Sequence, residues 1–342
     1  MNDKLRWGII STGRIAGIFA EQIPQTEHGR LYAVASRELE KAENFAEKYG
    51  AEKFYGSYDE LINDAGVDIV YIATPHPMHA EWALKSAEAR KHILCEKPMT
   101  MNSIEASSVI SAAKESGVFL MEAFHYRCHP QTARIVELIR EGVVGDVRVI
   151  KATFSFDIDC EPSHRILNRD LGGGGILDVG CYCVSMVRLL AGVAQGKSFL
   201  DPDTIRGAGI TGSTGVDEFA SCVMTFPGNI LAVISAGIQV HQENVVEIFG
   251  TRGSIKIPTP WVISIRGGVS SIFQRNHSSG ENLQVDVKAE KGLFAIEADT
   301  VTSAIRSGKK FSEAMSWEDS LGNMNTLDRW RSEIGLTYDA DK

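Results

Sequence analysis

The tripeptide Glu96-Lys97-Pro98 is where chemistry is most readily found in this chain. It follows a short apolar stretch, His92–Cys95, that reads as a strand. In an alternating β/α fold, ligands bind at the carboxyl ends of the strands. A lysine there can exchange a proton with a bound hydroxyl, and the proline after it fixes the backbone that aims the amine. A second group of reactive types is Asp178 and Tyr182, preceded by Gly172-Gly173-Gly174-Gly175. If this segment is helical, the two share one face, and a carboxylate beside a phenol can orient a hydroxyl and move its proton. Taken alone, they read as a helix N-terminal acid and a half-buried tyrosine; Lys97 elsewhere in the chain decides for chemistry. The glycines allow close backbone approach or positive φ, and without a following Lys-Ser/Thr they form no P-loop.

The elements that must position Lys97 begin at the N-terminus. Leu5–Ile10 is an apolar strand, Ser11-Thr12-Gly13-Arg14-Ile15-Ala16 is the turn after it, and Ile15, Ile18, Phe19 and Ile23 recur at helical spacing. Strand, small-residue turn and helix make the phosphate-binding start of a Rossmann unit, with backbone amides at the helix N-terminus for a pyrophosphate. Ser11 stands where the first glycine of the fingerprint belongs and Ala16 at the third; Ala16 still allows close packing, whereas Ser11 brings a Cβ into the tight turn. Ser11, Thr12, Gly13, Arg14 and Ile15 are therefore candidate dinucleotide contacts. The next strand, Leu31–Ala35, ends in Ser36-Arg37, where an NAD site wants an acid for the ribose hydroxyls. A small hydroxyl and a cation, with Lys41 one turn further on, suit a 2′-phosphate instead. NADP is the expected cofactor, with NAD as the alternative. Lys41 reads equally as a solvated charge at a helix start.

Val67–Ala73 is a continuous apolar run suited to a central parallel strand. It leads into Thr74-Pro75-His76-Pro77-Met78-His79, so Thr74, Pro75, His76 and His79 join Glu96 and Lys97 as cofactor-side candidates. Ser57-Tyr58-Asp59-Glu60 reads as a capping box, and Val118–Met121 as the last strand of the domain. The pattern changes near Phe124, which divides the chain into 1–123 and 124–342, with the last helices free to pack back on the first domain. In the second part Ala220, Cys222, Met224 and Phe226 alternate along one strand, and Ile230, Ala232, Ile234, Ala236 and Ile238 share a face of the next. This predicts a hairpin of an antiparallel sheet. Leu231 and Val233 make the other face partly apolar, so a helix or a second subunit is expected over it. His125, Cys128 and His129 contain metal-binding types, but adjacent Cys128 and His129 cannot easily converge on one ion, so no metal is expected.

Composition excludes several function classes. The chain has 342 residues, a formal net charge of −9 and no long basic run, which argues against nucleic acid. No apolar run approaches the roughly 18 residues of a membrane span, so no membrane partner is expected. The opening Met1-Asn2-Asp3-Lys4 enters a strand at once, without a visible leader. The six cysteines form no CxxC pair, so free thiols in the cytoplasm are the expectation.

At Glu96-Lys97-Pro98 together with Asp178-x-x-x-Tyr182, the chain resembles the Gfo/Idh/MocA oxidoreductases, and within them the dimeric dihydrodiol dehydrogenases and NADP-dependent D-xylose dehydrogenases. Arg6-Trp7-Gly8-Ile9, Tyr55-Gly56-Ser57-Tyr58, Leu94-Cys95, Phe119-Leu120-Met121-Glu122-Ala123, Thr214-Gly215-Val216-Asp217 and Ile334-Gly335 extend the likeness nearly end to end. The resemblance implies an α/β chain: an N-terminal Rossmann domain, then an α+β domain with a large open antiparallel sheet, often used for dimerisation. It implies nicotinamide-dependent oxidation or reduction of small sugars, polyols or diols, Lys97 and Tyr182 as the catalytic pair, and Asp178 in substrate binding. Phe124-His125-Tyr126-Arg127-Cys128-His129-Pro130 departs from the more aromatic segment of the dihydrodiol branch, which favours a sugar or polyol and makes His125 and Arg127 candidate substrate contacts. Two other classes stay open in the sequence: a cofactor-binding regulator without turnover, and a glycosidase that cycles a tightly bound NAD.

Overall fold

The computed structural model describes residues 4–342, so Met1–Asp3, on which the reading of a missing leader rested, lie outside the described residues. Two compact units are formed. The first takes residues 1–100, 104–128 and 291–320, and the second takes 101–103, 129–290 and 321–342. Residues 124–128 thus group with the first unit rather than starting the second, and so does the segment 291–320.

Strands and helices alternate through the first unit: β1 (Leu5–Ile10), α1 (Arg14–Gln22), β2 (Gly29–Ala35), α2 (Leu39–Tyr49), β3 (Lys53–Tyr55), α3 (Tyr58–Asn63), β4 (Ile69–Ile72), α4 (His79–Glu88), β5 (His92–Glu96), α5 (Ser103–Ser116), β6 (Leu120–Ala123) and the short α6 (His125–Cys128). Each apolar run is long enough for a strand buried on both faces, and every residue of β4 is buried. The six strands pair in parallel in the order β3-β2-β1-β4-β5-β6. The order reverses between β1 and β4, the switch point at which such sheets open a crevice. Phe19 of α1 stacks on Tyr71 of β4 with centroids 4.0 Å apart, and Trp7 meets Phe19 edge-on at 5.1 Å. Ser57 does precede α3, but its side chain makes no capping hydrogen bond; the expected box is only a helix start. Where β6 leaves an edge, the returning segment covers it: Leu120 donates its amide to the Lys310 carbonyl at 3.0 Å, and the Trp317 indole donates to the Leu120 carbonyl at 3.0 Å.

The second unit contains α7 (Pro130–Arg140), β7 (Val147–Ser155), α8 (Cys181–Ala194), β8 (Thr204–Thr211), β9 (Asp217–Phe226), β10 (Ile230–Gly237), β11 (Val246–Gly250), β12 (Gly253–Ile257), β13 (Gly268–Asn276) and β14 (Asn282–Ala289). The helix α9 (Leu293–Arg306) belongs to the first unit, whereas α10 (Trp317–Glu333) has its residues from Leu321 on in the second. The eight strands form one sheet, β14-β13-β12-β11-β7-β10-β9-β8, antiparallel except for the parallel pair β7–β10. The expected hairpin is β9–β10, with Ile230 opposite Phe226 and Ala236 opposite Ala220. Its inner residues are buried against α8, while Leu231, Val233, Phe219 and Val223 on the other face stay more than a third exposed.

One expectation is corrected by α8. With the turns before it, Arg169–Ala194 makes a 26-residue helical stretch apolar enough, by length and composition, to cross a membrane, but the whole window is buried inside the protein. Glycines and the charges Arg169, Asp170, Asp178 and Arg188 hide this run in the sequence; its apolarity is that of a core helix, and Arg188 is neutralised by Asp201 at 2.7 Å. Among the described residues all six cysteines are free.

The first unit holds a fully buried ion pair, Arg127 with Asp319 at 2.5 Å, side chains 4% and 2% exposed. Arg127 also donates to the Ala314 carbonyl at 2.9 Å. Removing one partner strands a charge in the interior, so Asp319→Ala should cost roughly 3–5 kcal/mol. Urea denaturation followed by fluorescence measures it, and a midpoint equal to wild type would show that the pair contributes nothing.

Candidate active site

The register of the parallel sheet brings the nucleotide-side candidates to one edge. Ile10 pairs with Ala35 and with Ile72, Ile72 pairs with Cys95, and Glu96 pairs with Ala123. Ser11, Ser36, Thr74 and Lys97 therefore all leave the sheet at the carboxyl ends of neighbouring strands, although 86 positions of sequence separate Ser11 from Lys97.

At the first of these ends Ser11 adopts φ +106°, the region that favours glycine. Its hydroxyl accepts the Gly13 amide at 3.1 Å, a local bond that helps hold the serine where the fingerprint prefers glycine. Gly13 then precedes α1 without a side-chain acceptor, and the first turn of α1 carries no acid. That donor set fits a pyrophosphate: amides at a helix N-terminus with no carboxylate to compete. Ala16 is fully buried, and a Cβ on Gly17 would lie 2.6 Å from the Tyr49 hydroxyl, so α1 and α2 approach closely. A cleft of about 540 Å³ between these helices is lined by Thr12, Gly13, Arg14 and Lys41 among others.

At the end of β2, Ser36 is buried and its hydroxyl accepts the Glu38 amide at 3.3 Å. Arg37 is exposed and lies near the Tyr58 phenol, which burial pushes up and Arg37 pulls down. Lys41 pairs with Glu38 at 2.6 Å, both side chains well exposed. Such surface pairs are worth about 0–1 kcal/mol, too little to withhold the ammonium from a phosphate.

After β4, Thr74 and His76 are buried and His79 starts α4. His79, a cofactor-side candidate by sequence, has both ring nitrogens engaged by the protein. It is wholly buried, with Nδ1 2.9 Å from the Pro98 carbonyl and Nε2 2.9 Å from the Thr74 carbonyl. The imidazole thus ties the loop after β4 to the loop after β5. The Lys97–Pro98 peptide is cis. Glu96 accepts from the Tyr71 hydroxyl at 2.5 Å and from the Lys97 amide at 3.3 Å, so both carboxyl oxygens hold the protein itself. Lys97 stays partly exposed.

In the second unit Asp178 and Tyr182 lie on helical backbone, as the spacing requires, but Ile176–Gly180 is a wider π turn that passes into α8. Such turns inside α-helices are frequent at functional sites. Asp178 is 4% exposed and accepts from the Arg165 guanidinium at 3.1 Å. The Tyr182 ring is held edge-on by Phe154 at 5.2 Å and Trp261 at 6.0 Å, and the Trp261 indole donates to the Thr153 carbonyl at 2.7 Å. Arg165, Phe154 and Trp261 escaped the sequence reading because nothing in their spacing links them to Tyr182; the sheet and loops bring them there.

Two other candidates receive different jobs. Arg127, read as a substrate contact, is committed to Asp319 in the interior. His125 is buried against the Phe294 ring at 5.1 Å. Burial pushes the Cys128 thiol up and takes the His129 imidazole down to about 4, and His129 caps α7 by accepting the Gln131 amide at 3.1 Å. No group of three or more His, Cys, Asp or Glu side chains among the described residues is arranged for a metal ion.

Comparison with known proteins agrees with this architecture. Residues 5–124 match the oxidoreductase family with an NAD-binding Rossmann fold, and residues 132–256 match the GFO/IDH/MocA C-terminal domain. The chain is 35% identical over 340 residues to the trans-1,2-dihydrobenzene-1,2-diol dehydrogenase of Xenopus laevis, covering 97% of this chain and 99% of that protein. It is 31% identical to the human enzyme of that name, covering 99% of both. Among solved structures it resembles an aldose-aldose oxidoreductase from Caulobacter crescentus complexed with glycerol, with a TM-score of 0.86, 25% identity, and coverage of 97% and 98%. A 3-ketoreductase from Actinomadura kijaniata in complex with NADP and TDP-benzene gives a TM-score of 0.84 at 25% identity, with the same coverage. With both halves matched in order and the nucleotide-side donors in place, the chain belongs to the Gfo/Idh/MocA oxidoreductase family.

Proposed function

We propose that this oxidoreductase uses NADP and transfers a hydride to or from the carbinol or carbonyl carbon of a sugar, polyol or diol, with Lys97 and Tyr182 exchanging the accompanying proton. The observation that carries this reading is the place of Lys97, on the same sheet edge as the phosphate-binding turn and held by neighbours that are themselves tied down. Ser11–Ile15 would hold the pyrophosphate, Ser36 and Arg37 the adenosine ribose, and Thr74–His76 the approach to the nicotinamide end. When bound, the nicotinamide supplies the hydride acceptor or donor. In oxidation the Lys97 amine takes the hydroxyl proton; in reduction the Lys97 ammonium returns one to the carbonyl oxygen. Tyr182 is the alternative group to exchange that proton, and Asp178, with Arg165 on one oxygen, would orient neighbouring hydroxyls. The diol in the names of the relatives and the sugar chemistry of the structural neighbours both support this substrate class.

Lys97→Met should lower kcat at least about 100-fold, the size of a lost acid–base group, and leave NADP binding intact. A panel of sugars, polyols, diols and dicarbonyls, followed by nicotinamide absorbance, identifies the substrate and then tests the variant. Near-normal kcat would exclude Lys97 as the acid/base.

The cofactor preference rests on Arg37. A charge-assisted hydrogen bond to the 2′-phosphate is worth roughly 1.5–3 kcal/mol, or about 10- to 150-fold in affinity. Competition titration should show that excess for NADP over NAD, and Ser36→Asp with Arg37→Ala should reverse it. Equal affinity in the wild type would make Arg37 a solvated surface charge.

For assembly, the open face of the eight-stranded sheet supports a homodimer. Strand pairing sets Val223, Val233, Lys151, Glu247, Lys256 and Phe273 in one row across it. Apolar ends flank a centre of alternating charge, a pattern that a second copy can complement. Light scattering at micromolar concentration should give twice the chain mass of 37.4 kDa; a monomer would remove the dimer from the reading.

A further inference from the structure

Asp217, the first residue of β9, is fully buried, and its carboxylate is spent on a turn 41 positions earlier in the chain. Oδ2 accepts the Ile176 amide at 2.6 Å. This amide opens the π turn that carries Asp178 and leads to Tyr182, and that turn has no side-chain cap of its own. Gly174 has φ +114°, and a Cβ there would lie 2.3 Å from Asp217 Oδ1 and 2.9 Å from the Tyr338 hydroxyl. Glycine is required at that position both for its backbone and for the carboxylate behind it. The Gly174 carbonyl in turn accepts the Asp178 amide at 3.1 Å, and the Tyr338 hydroxyl donates to the Gly173 carbonyl. Asp217 and Tyr338 thus tie this turn from strands and segments remote in sequence.

We propose that Asp217 is a positioning residue: its ionised carboxylate, acting as a cap supplied from another strand, holds the glycine turn that presents Asp178 and Tyr182, and protonation weakens that hold. The inference rests on the reading of Asp178 and Tyr182 as site residues. A carboxylate at a helix N-terminus makes a stronger hydrogen bond than a neutral acid. Burial pushes the Asp217 carboxyl up to about 7, against the pull of the Ile176 and Gly175 amides and of Arg331. The other ionisable groups around it are the Tyr338 phenol, which burial and Asp217 push up, with Arg169, Arg331 and Asp341 beside that phenol. The sign follows. Folding raises this carboxyl above its ordinary value, so the folded protein binds the extra proton and its stability falls as pH rises from about 4 to about 7. Over the same rise the turn is fixed more firmly. Stability and the hold on the turn therefore change in opposite directions.

The test uses the full chain with NADP, and trans-1,2-dihydrobenzene-1,2-diol and D-xylose as probes. Asp217→Asn keeps an acceptor oxygen and removes the charge. It should fold, bind NADP as wild type does, lower kcat/KM about tenfold at pH 8, and lack the titration near neutrality. A folded Asp217→Asn with wild-type kcat/KM and pH profile overturns the proposal. Asp178→Asn and Tyr182→Phe are assayed beside it. If both keep wild-type kcat/KM, the site reading fails; if they are impaired and Asp217→Asn is not, only the positioning role fails. Hydrogen exchange of the Ile176 amide in the wild-type protein needs neither turnover nor a variant. Corrected for intrinsic rates, its protection should rise about tenfold between pH 6 and 8, and flat protection overturns the proposal even where Asp217→Asn does not fold.

Discussion

The parallel pairing of β1 with β4 is the constraint on which the nucleotide side depends. These strands are not consecutive: β2 and β3 run outward on one side and β5 and β6 on the other. Once Ile10 is set beside Ile72 and Ile72 beside Cys95, the turns after β1, β4 and β5 must emerge at one edge. Backbone hydrogen bonds impose that coincidence and the interiors of β4 and β5 are apolar, so a slip in register would carry the Ser11 turn and Lys97 apart together with the core.

Around that edge, buried polar groups do the local work of aiming. His79 links two loop carbonyls, Glu96 is held by Tyr71, and Gln22 accepts the Phe294 amide at 3.0 Å at the start of α9. Asp217 does the same for the glycine turn of the second unit. In each case a side chain distant in sequence satisfies a loop carbonyl, a phenol or a helix-end amide that would otherwise be left unpaired in the interior. Groups of this kind cost free energy when unpaired and add direction when paired, which suits them to fixing backbone next to reactive residues.

Family membership and chemistry meet in this arrangement. The Rossmann sheet explains why a dinucleotide is expected, and the departures from its fingerprint are absorbed locally: Ser11 takes up positive φ with its hydroxyl on the Gly13 amide. The second sheet, covered by α8 on one face and partly apolar on the other, explains why a core helix of membrane-like composition belongs to the inside of this protein.

Much of this was legible in the residues themselves. Apolar runs and their periods located β1, β4, the β9–β10 hairpin and the closing helices, because burial of a strand or a helix face is written locally in residue type. Glu96-Lys97-Pro98 and Asp178-x-x-x-Tyr182 could be picked out as candidates for the same reason: short spacing singles them out. Other assignments needed the folded chain. Arg127 and His79 carry the residue types of a binding site, yet the fold buries one against Asp319 and the other between two carbonyls. Arg165, Trp261 and Asp217 acquire their roles only when strands and loops remote in sequence come together. The sequence by itself determined which segments are strands and helices and which residues could do chemistry. Tertiary structure alone decided which of those residues are left to face a ligand, because a buried polar group must first find a partner, and that partner is chosen by packing rather than by spacing.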